Sequence, residues 1–380
     1  MKTYDAIKEE FKKYYGEKAK SLIKSPGRVN LIGEHTDYNE GFVLPMAIEK
    51  GVFLAFKPKK DGNIRLFSKN YGQEKSFNLK DIKKNPQGGW IEYAKGVASQ
   101  YGECQAGFDG FVFSDIPKGA GLSSSAAFSM AICYALISSN NLKWDPVSAA
   151  KNAKAAENDF VGVACGIMDQ MACALGQKGS AIRIDCKDES FKLAKLPSGC
   201  EVVILDSMTR RELLHSDYNK RQSECRSAAK ALQVSSLRYI DHLEKSPRYE
   251  KLSPLEQKRA RHVVSENSRV LRAQEAMRNN DPRALGRLMT ESHMSLRYDF
   301  EVSTTSLDLL AGLSEEHPAC YGARLTGAGF GGAVVALVMA SHKEVFMRDV
   351  ARSYQLVSGK ECEVFSTKAS EGALLAQLSQ

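Results

Sequence analysis

The sequence predicts an α+β protein of two domains. Three observations lead there. At 380 residues the chain is longer than one compact core accommodates. Strand-like runs crowd its first half, and helical patterns dominate its second. The two kinds mix without the regular alternation of a parallel α/β sheet, so α+β layers are expected rather than a Rossmann fold.

The elements follow in order. Residues 51–57 and 64–68 read as strands, with Asp61-Gly62 as the turn signal between them. Residues 108–113 form another strand, which feeds the loop 117–122 and a long apolar helix over about 123–138. Residues 149–162 read as a second helix and 169–175 as the start of a third. Strands near 181–184 and 191–193 close this half, and 202–205 opens the next. Ser253-Pro254-Leu255-Glu256 carries a capping box: an N-cap hydroxyl, proline at the first helical position and a carboxylate at the third. Val263, Val270, Leu271 and Met277 are expected on the buried face of that helix. Asn279-Asn280-Asp281-Pro282 ends it, and a further helix runs to about His293. A buried strand over 333–339, a helix from His342 and a final strand over 363–366 complete the pattern.

Composition narrows the class. No apolar run has the length of a membrane helix, and the Lys-, Glu- and Tyr-rich N-terminus lacks the apolar stretch of a secretory signal, so a cytoplasmic protein is expected. The nine cysteines stand singly, without CxxC spacing, and read as buried free thiols. The net charge of +8 lies in short lysine runs beside turns, without interleaved aromatics. That is a solvated face rather than a nucleic-acid groove.

Two glycine-rich loops stand out. In Pro117-Lys118-Gly119-Ala120-Gly121-Leu122-Ser123-Ser124-Ser125-Ala126, two glycines permit close backbone approach and three serines fall at a helix start. Unpaired amides and the positive dipole end attract an anion there. An ordinary cap after a turn is the plainer alternative, but three serines exceed what capping needs. The second loop, residues 325–332, satisfies the letters of GxGxxG with Gly327, Gly329 and Gly332, yet a β-type run follows it. A dinucleotide site is excluded by that context. Small residues in a row suit backbone packed against a second loop or a ligand. No GxxxxGK[ST] occurs, which excludes the P-loop class.

Near the N-terminus, Arg28, Asn30, Glu34, His35 and Asp37 lie inside an apolar frame that resumes at residues 41–48. They cannot all be core residues without partners. A surface hairpin is one reading; a hydrogen-bonding pocket for a polyol is the other. His35 has no second His or Cys at metal-ligand spacing.

These motifs meet a known family. Residues 27–45 resemble the galactokinase signature almost letter for letter. Residues 117–126 resemble the phosphate loop of the GHMP small-molecule kinases, and 325–332 their third motif. Order and spacing agree along essentially the whole chain; the first motif is specific to galactokinases, the other two to the superfamily.

The resemblance implies a two-domain GHMP kinase fold with the active site in the cleft. A mixed-sheet N-terminal domain spans 1–194, rejoined by about 365–380, and a helix-covered C-terminal α/β-sandwich domain spans 195–364. It implies transfer of the γ-phosphate of ATP to the C1 hydroxyl of galactose, the first step of galactose catabolism by the Leloir pathway, with Mg²⁺ as cofactor. By the same resemblance Glu34, His35, Asp37, Gly166 and Tyr218 bind the sugar. Gly119, Ala120, Gly121, Leu122, Ser123, Ser124 and Ser125 bind ATP, Ser125 and Glu157 hold Mg²⁺, and Arg28 and Asp169 are the catalytic pair. The sequence departs from the family pattern at none of these positions. Asp169 is then the base or orienting group for the sugar hydroxyl, with Arg28 beside it. A related sugar 1-kinase, for N-acetylgalactosamine, arabinose or galacturonate, shares the same loops and stays open. A non-catalytic galactose sensor is a second alternative, countered by the intact Ser124-Ser125-Ala126. The implied partners are galactose and MgATP, with no nucleic acid and no membrane. With no long heptad stretch, a monomer is expected.

Overall fold

The computed structural model describes residues 2–163, 165–209 and 214–377. The chain opens with α1 (Lys2–Tyr15), an element that the sequence reading leaves out. There follow β1 (Ser21–Asn30), β2 (Phe42–Val43), β3 (Pro45–Lys59), β4 (Asn63–Ser68), β5 (Gln73–Asn78), α2 (Ile91–Ser99) and β6 (Gly107–Ser114). Then come α3 (Ser124–Ser139), α4 (Pro146–Ala155), α5 (Met168–Leu175), β7 (Ser180–Asp185) and β8 (Ser190–Lys195). The second half holds β9 (Cys200–Asp206), α6 (Leu214–Leu232), α7 (Pro254–Arg278), α8 (Pro282–Tyr298), α9 (Thr305–Glu316), β10 (Cys320–Thr326), β11 (Ala333–Met339) and α10 (Lys343–Ser358). β12 (Glu363–Thr367) and β13 (Leu374–Gln377) end it.

The strands form three sheets. A six-stranded sheet has the order β13-β1-β3-β6-β4-β5, a four-stranded sheet β10-β11-β9-β12, and a three-stranded sheet β2-β7-β8. All pairings are antiparallel except β4 with β6. β12 pairs with β9, whereas β13 pairs with β1, Ser21 opposite Gln377. The chain thus recrosses to the first sheet after Thr367; residues 378–380 of the expected returning segment lie outside the described residues.

The α+β class is as predicted. α3 is apolar on every side because it is buried on every side, packed on β1 and β3. A second core gathers Phe300, Phe346 and Tyr354 against the four-stranded sheet. The capping box of α7 is formed: Ser253 Oγ accepts the Glu256 amide at 3.3 Å, and the Glu256 carboxylate takes the Ser253 amide at 2.9 Å.

Three local expectations need correction. Val263, Val270 and Met277 are buried, but Leu271 is 42% exposed, because it stands about 100° around the helix from Val270. The second helix does not run to Gly162: its α part ends at Ala155, and Ala156–Val161 is a π turn in which the amides of Gly162 and Val163 both donate to the Glu157 carbonyl at 2.9 Å. All nine cysteines are free, but only Cys104, Cys133, Cys173 and Cys225 are fully buried. No helix among the described residues is long and apolar enough to cross a membrane.

Candidate active site

The site begins where β1 ends. β1 carries an irregularity between Pro26 and Arg28, and the Arg28 amide leaves the sheet to donate to the Leu122 carbonyl at 3.2 Å. After Asn30 the chain turns through Gly33 (φ +95°) and His35 (φ +60°). Buried side chains tie this turn. Asn30 Nδ2 donates to the Gly33 carbonyl at 3.0 Å, Thr36 Oγ1 to the Phe42 carbonyl at 2.7 Å, and Asn39 Nδ2 to the His35 carbonyl at 2.9 Å. The polar cluster is therefore no surface hairpin: Glu34 and His35 are 2% and 4% exposed.

The second glycine-rich loop explains how these groups are satisfied. Glu34 Oε1 accepts from the Gly327 amide at 2.7 Å and from Thr326 Oγ1 at 3.2 Å, and lies 3.3 Å from Arg324 Nη2. His35 Nε2 lies 3.2 Å from the Ala328 carbonyl, which only accepts, so Nε2 carries the proton and Nδ1 accepts from the Tyr38 hydroxyl at 3.0 Å. The run of small residues lets this loop come close enough to reach both side chains.

The first glycine-rich loop joins β6 to α3, with Gly119 and Gly121 at φ +77° and +76°. Ser123 is the N-cap of α3 but adopts a left-handed conformation, and its side chain does not cap. Its hydroxyl donates to Asp169 Oδ2 instead. The first turn of α3 holds no acidic residue, so its amides and positive dipole end remain available to an anion. Ala120 is buried beneath the loop and does not line the cavity; Gly119, Gly121, Leu122, Ser123, Ser124 and Ser125 do.

Asp169 stands in the first turn of α5. Arg28 Nε and Nη2 both lie 2.7 Å from its Oδ1, and Arg28 Nη1 donates to the Gly121 carbonyl at 2.8 Å. One guanidinium thus braces the carboxylate and the loop together. Glu157 projects from the π turn, a distortion that recurs at functional sites. It is 5% exposed, and its Oε1 has no hydrogen-bond partner. Burial, with the charge of Asp169 adding, pushes the Glu157 carboxyl up to about 7, while Cys165, Ser125 and Arg28 pull the other way. Asp37 is raised to about 6, first by burial and then by Asp169, against the Tyr38 amide.

Gly166 faces Asp37 closely: a Cβ at Gly166 would sit 2.0 Å from Asp37 Oδ2. Tyr218, on α6, sets its ring 5.7 Å from His35, tilted, and 5.3 Å from Tyr38, edge to face, forming an aromatic wall.

These groups surround one cavity of about 440 Å³. Apart from Ala120, every residue given a catalytic, sugar, ATP or Mg²⁺ role by the resemblance lines it; Asn30, Gly329 and Gly332 do not. Sequence reasoning did not assign Tyr93, Cys165, Asn219 or Ala328, which also line it. Of these, only Ala328 carried a signal, its place among small residues.

Similarity to known proteins agrees with this geometry. Residues 9–58 match the galactokinase galactose-binding signature, 91–177 the GHMP kinase N-terminal domain and 273–354 the GHMP kinase C-terminal domain. A galactokinase of Roseiflexus sp. (strain RS-1) is 40% identical over 374 residues, 96% of this chain and 95% of its own. A galactokinase of Lactobacillus helveticus is 40% identical over 383 residues, covering 96% and 98%. The crystal structure of Lactococcus lactis galactokinase complexed with galactose superposes with a TM-score of 0.93 at 32% identity, over 99% of this chain and 100% of that one. The Methanococcus jannaschii mevalonate kinase shares the fold, with a TM-score of 0.68 at 20% identity over 92% of this chain and 98% of its own. With its α+β two-domain architecture and its full-length relatives, the chain belongs to the galactokinase family of the GHMP kinases, enzymes that phosphorylate galactose with ATP.

Proposed function

We propose that this chain transfers the γ-phosphoryl group of ATP to the C1 hydroxyl of galactose. The observation that carries the reading is Asp169, fixed by Arg28 and Ser123 at the edge of one cavity between an uncapped helix N-terminus and the Glu34–His35 turn. Glu34, His35, Asp37, Gly166 and Tyr218 take the sugar. The loop from Gly119 to Ser125 takes the nucleotide phosphates on its amides.

Asp169 orients the attacking hydroxyl and accepts its proton, while Arg28 offsets the negative charge that builds on the transferring group. Both Asp169 oxygens already receive donors. Orientation and charge neutralisation therefore carry more of the acceleration than basicity does, as in phosphoryl transfer generally.

The residues fit a divalent cation. Glu157 presents a buried oxygen with no hydrogen-bond partner, and Ser125 lies beside it on the cavity wall. Mg²⁺ held by Glu157 and Ser125 would neutralise phosphate charge. Residues 1–194 with the returning strand are read as one domain and 195–364 as the other. The chain is read as a cytoplasmic monomer, which suits nine free thiols and a cavity completed within one chain.

A coupled ADP-release assay across a sugar panel tests the reading. Galactose should support turnover well above N-acetylgalactosamine, arabinose and galacturonate. Preference for one of those would reassign the sugar. Galactose binding without ADP release would mean a sensor.

A further inference from the structure

We infer that Glu266, a residue of α7 outside the cavity, is a positioning residue for galactose binding because it holds the turn that presents Glu34 and His35. The inference rests on reading those two side chains as sugar ligands. Glu266 is fully buried. Its Oε1 accepts the backbone amides of Gly33 at 2.8 Å and Glu34 at 3.2 Å, together with the Ser292 hydroxyl at 2.7 Å. Its Oε2 accepts from Arg269 Nε at 2.7 Å.

The turn requires such a group. Past Asn30 the chain has left the strand, and Gly33 is in the left-handed region, so two successive amides point together into the protein. Adjacent amides of this kind form a concavity for an anion, and buried amides must find an acceptor. One carboxylate oxygen serves both. Burial alone would raise the Glu266 carboxyl, but the guanidinium charges of Arg269 and Arg324 and the Ser292 hydroxyl oppose it, and the carboxyl stands at about 2, so it stays ionised.

The same helix also holds the other side of Glu34. His262 lies one turn before Glu266, and its Nε2 donates to the Glu34 carbonyl at 3.0 Å while Nδ1 accepts from Ser295 Oγ at 2.9 Å. Both backbone polar groups of Glu34 therefore end on α7, and its Oε1 ends on the Gly327 amide. Glu34 Oε2 makes no hydrogen bond among the described residues, and Glu34 lines the cavity. α7 thus fixes where that oxygen points. Neither the phosphate loop nor Asp169 touches Glu266 through any hydrogen bond among the described residues.

Glu266→Gln tests this. A carboxamide has one acceptor end and one donor end, whereas Glu266 receives donors at both. Its NH₂ must face either the turn amides or Arg269. The KM for galactose should rise about tenfold, the scale of one lost charge-assisted hydrogen bond, with the KM for ATP within about twofold. Adding Arg269→Met frees the amide oxygen to face the turn and should recover most of the galactose KM. Ser292→Ala, which leaves both turn amides bonded, should lower the Tm without moving the galactose KM. If Glu266→Gln does not fold, Glu266→Asp, too short to span both partners, carries the same test. Both KM values rising together, no recovery in the double variant, or an equal effect from Ser292→Ala would overturn the role of Glu266. Wild-type protein that releases no ADP with galactose would overturn the underlying reading of the site.

Discussion

Arg28 and Asp169, 141 residues apart in sequence, meet through a fork: Nε and Nη2 of the guanidinium each lie 2.7 Å from the same carboxylate oxygen. The other oxygen receives the Ser123 hydroxyl. The carboxylate is the more open partner, its side chain 30% exposed against 6% for Arg28. Both groups line the cavity, and the pair shows it more of the negative group than of the positive one.

Asp169→Asn should fold, because the amide oxygen can face Arg28 while its NH₂ donates to Ser123 Oγ. It should still bind galactose, read as a galactose-induced rise in Tm. Turnover should fall by about 10²–10⁴-fold, the worth of a positioned proton acceptor. Rates like the wild type in an ADP-release assay would remove Asp169 from the chemistry.

Arg28→Ala removes the charge beside Asp169 and also the donor to the Gly121 carbonyl. Turnover should drop more than galactose affinity, and the KM for ATP should rise. Arg28→Lys should recover little, since an ammonium cannot make the three contacts of the fork. A change confined to the galactose KM would limit Arg28 to binding.

Ser123 separates strain from function. In Ser123→Ala the left-handed φ of +58° remains and the hydroxyl is lost; in Ser123→Gly the strain is relieved as well. The Gly variant should be the more stable by about 1 kcal/mol, yet both should lose turnover equally. Denaturant melts and initial rates on the same preparations compare the two. Activity that follows stability would argue that the hydroxyl does nothing for Asp169.

Glu157 sets a pH dependence. Its carboxyl stands at about 7 in the folded protein against an ordinary 4.5, so the native state binds the proton more tightly than the unfolded chain. Its contribution to the stability of the metal-free protein is full below about 4.5 and is lost as pH rises through about 7. A cation needs the ionised form, so Mg²⁺ affinity should rise about tenfold per unit up to about 7 and then level. With ADP present, Mg²⁺ should raise Tm more at about pH 8 than at about pH 6. Glu157→Gln should erase that difference, and equal wild-type shifts at both pH values would contradict the assignment.

Gly166→Ala places a methyl where Asp37 Oδ2 stands, 2.0 Å away. The φ of Gly166 is not in the left-handed region, so the effect is steric alone. Overpacking of about 1–3 kcal/mol should raise the galactose KM tenfold or more and spare the KM for ATP. An unchanged galactose KM would separate Gly166 from the sugar.

What the sequence disclosed divides along physical lines. The glycine-rich loop before α3 was legible from its own composition, and the capping box of α7 because its donors and acceptors lie within three residues. The polar run from Arg28 to Asp37 was legible as an anomaly, since so many polar groups in an apolar frame demand partners. Those partners, Gly327 and Ala328 for Glu34 and His35, come from about 290 residues away and could not be named. Asp169 and Tyr218 carried no signal of their own; the family resemblance alone raised them. Glu157 falls inside the helix that the pattern over 149–162 predicts, and the π turn that redirects it leaves no compositional trace. Leu271 is apolar yet exposed, so apolar character alone does not mark the buried face of α7.

The first strand of the large sheet is flanked by β3 on one side and by β13 on the other. During synthesis β3 emerges within about thirty residues of β1, but β13 follows only after every strand of the four-stranded sheet. Until then the outer edge of β1 presents unpaired amides and carbonyls to any strand that passes. The nascent sheet thus keeps an open flank until β13 has followed β12 out of the ribosome. Removing residues 374–377 would return the finished protein to that exposed state without altering one residue that lines the cavity.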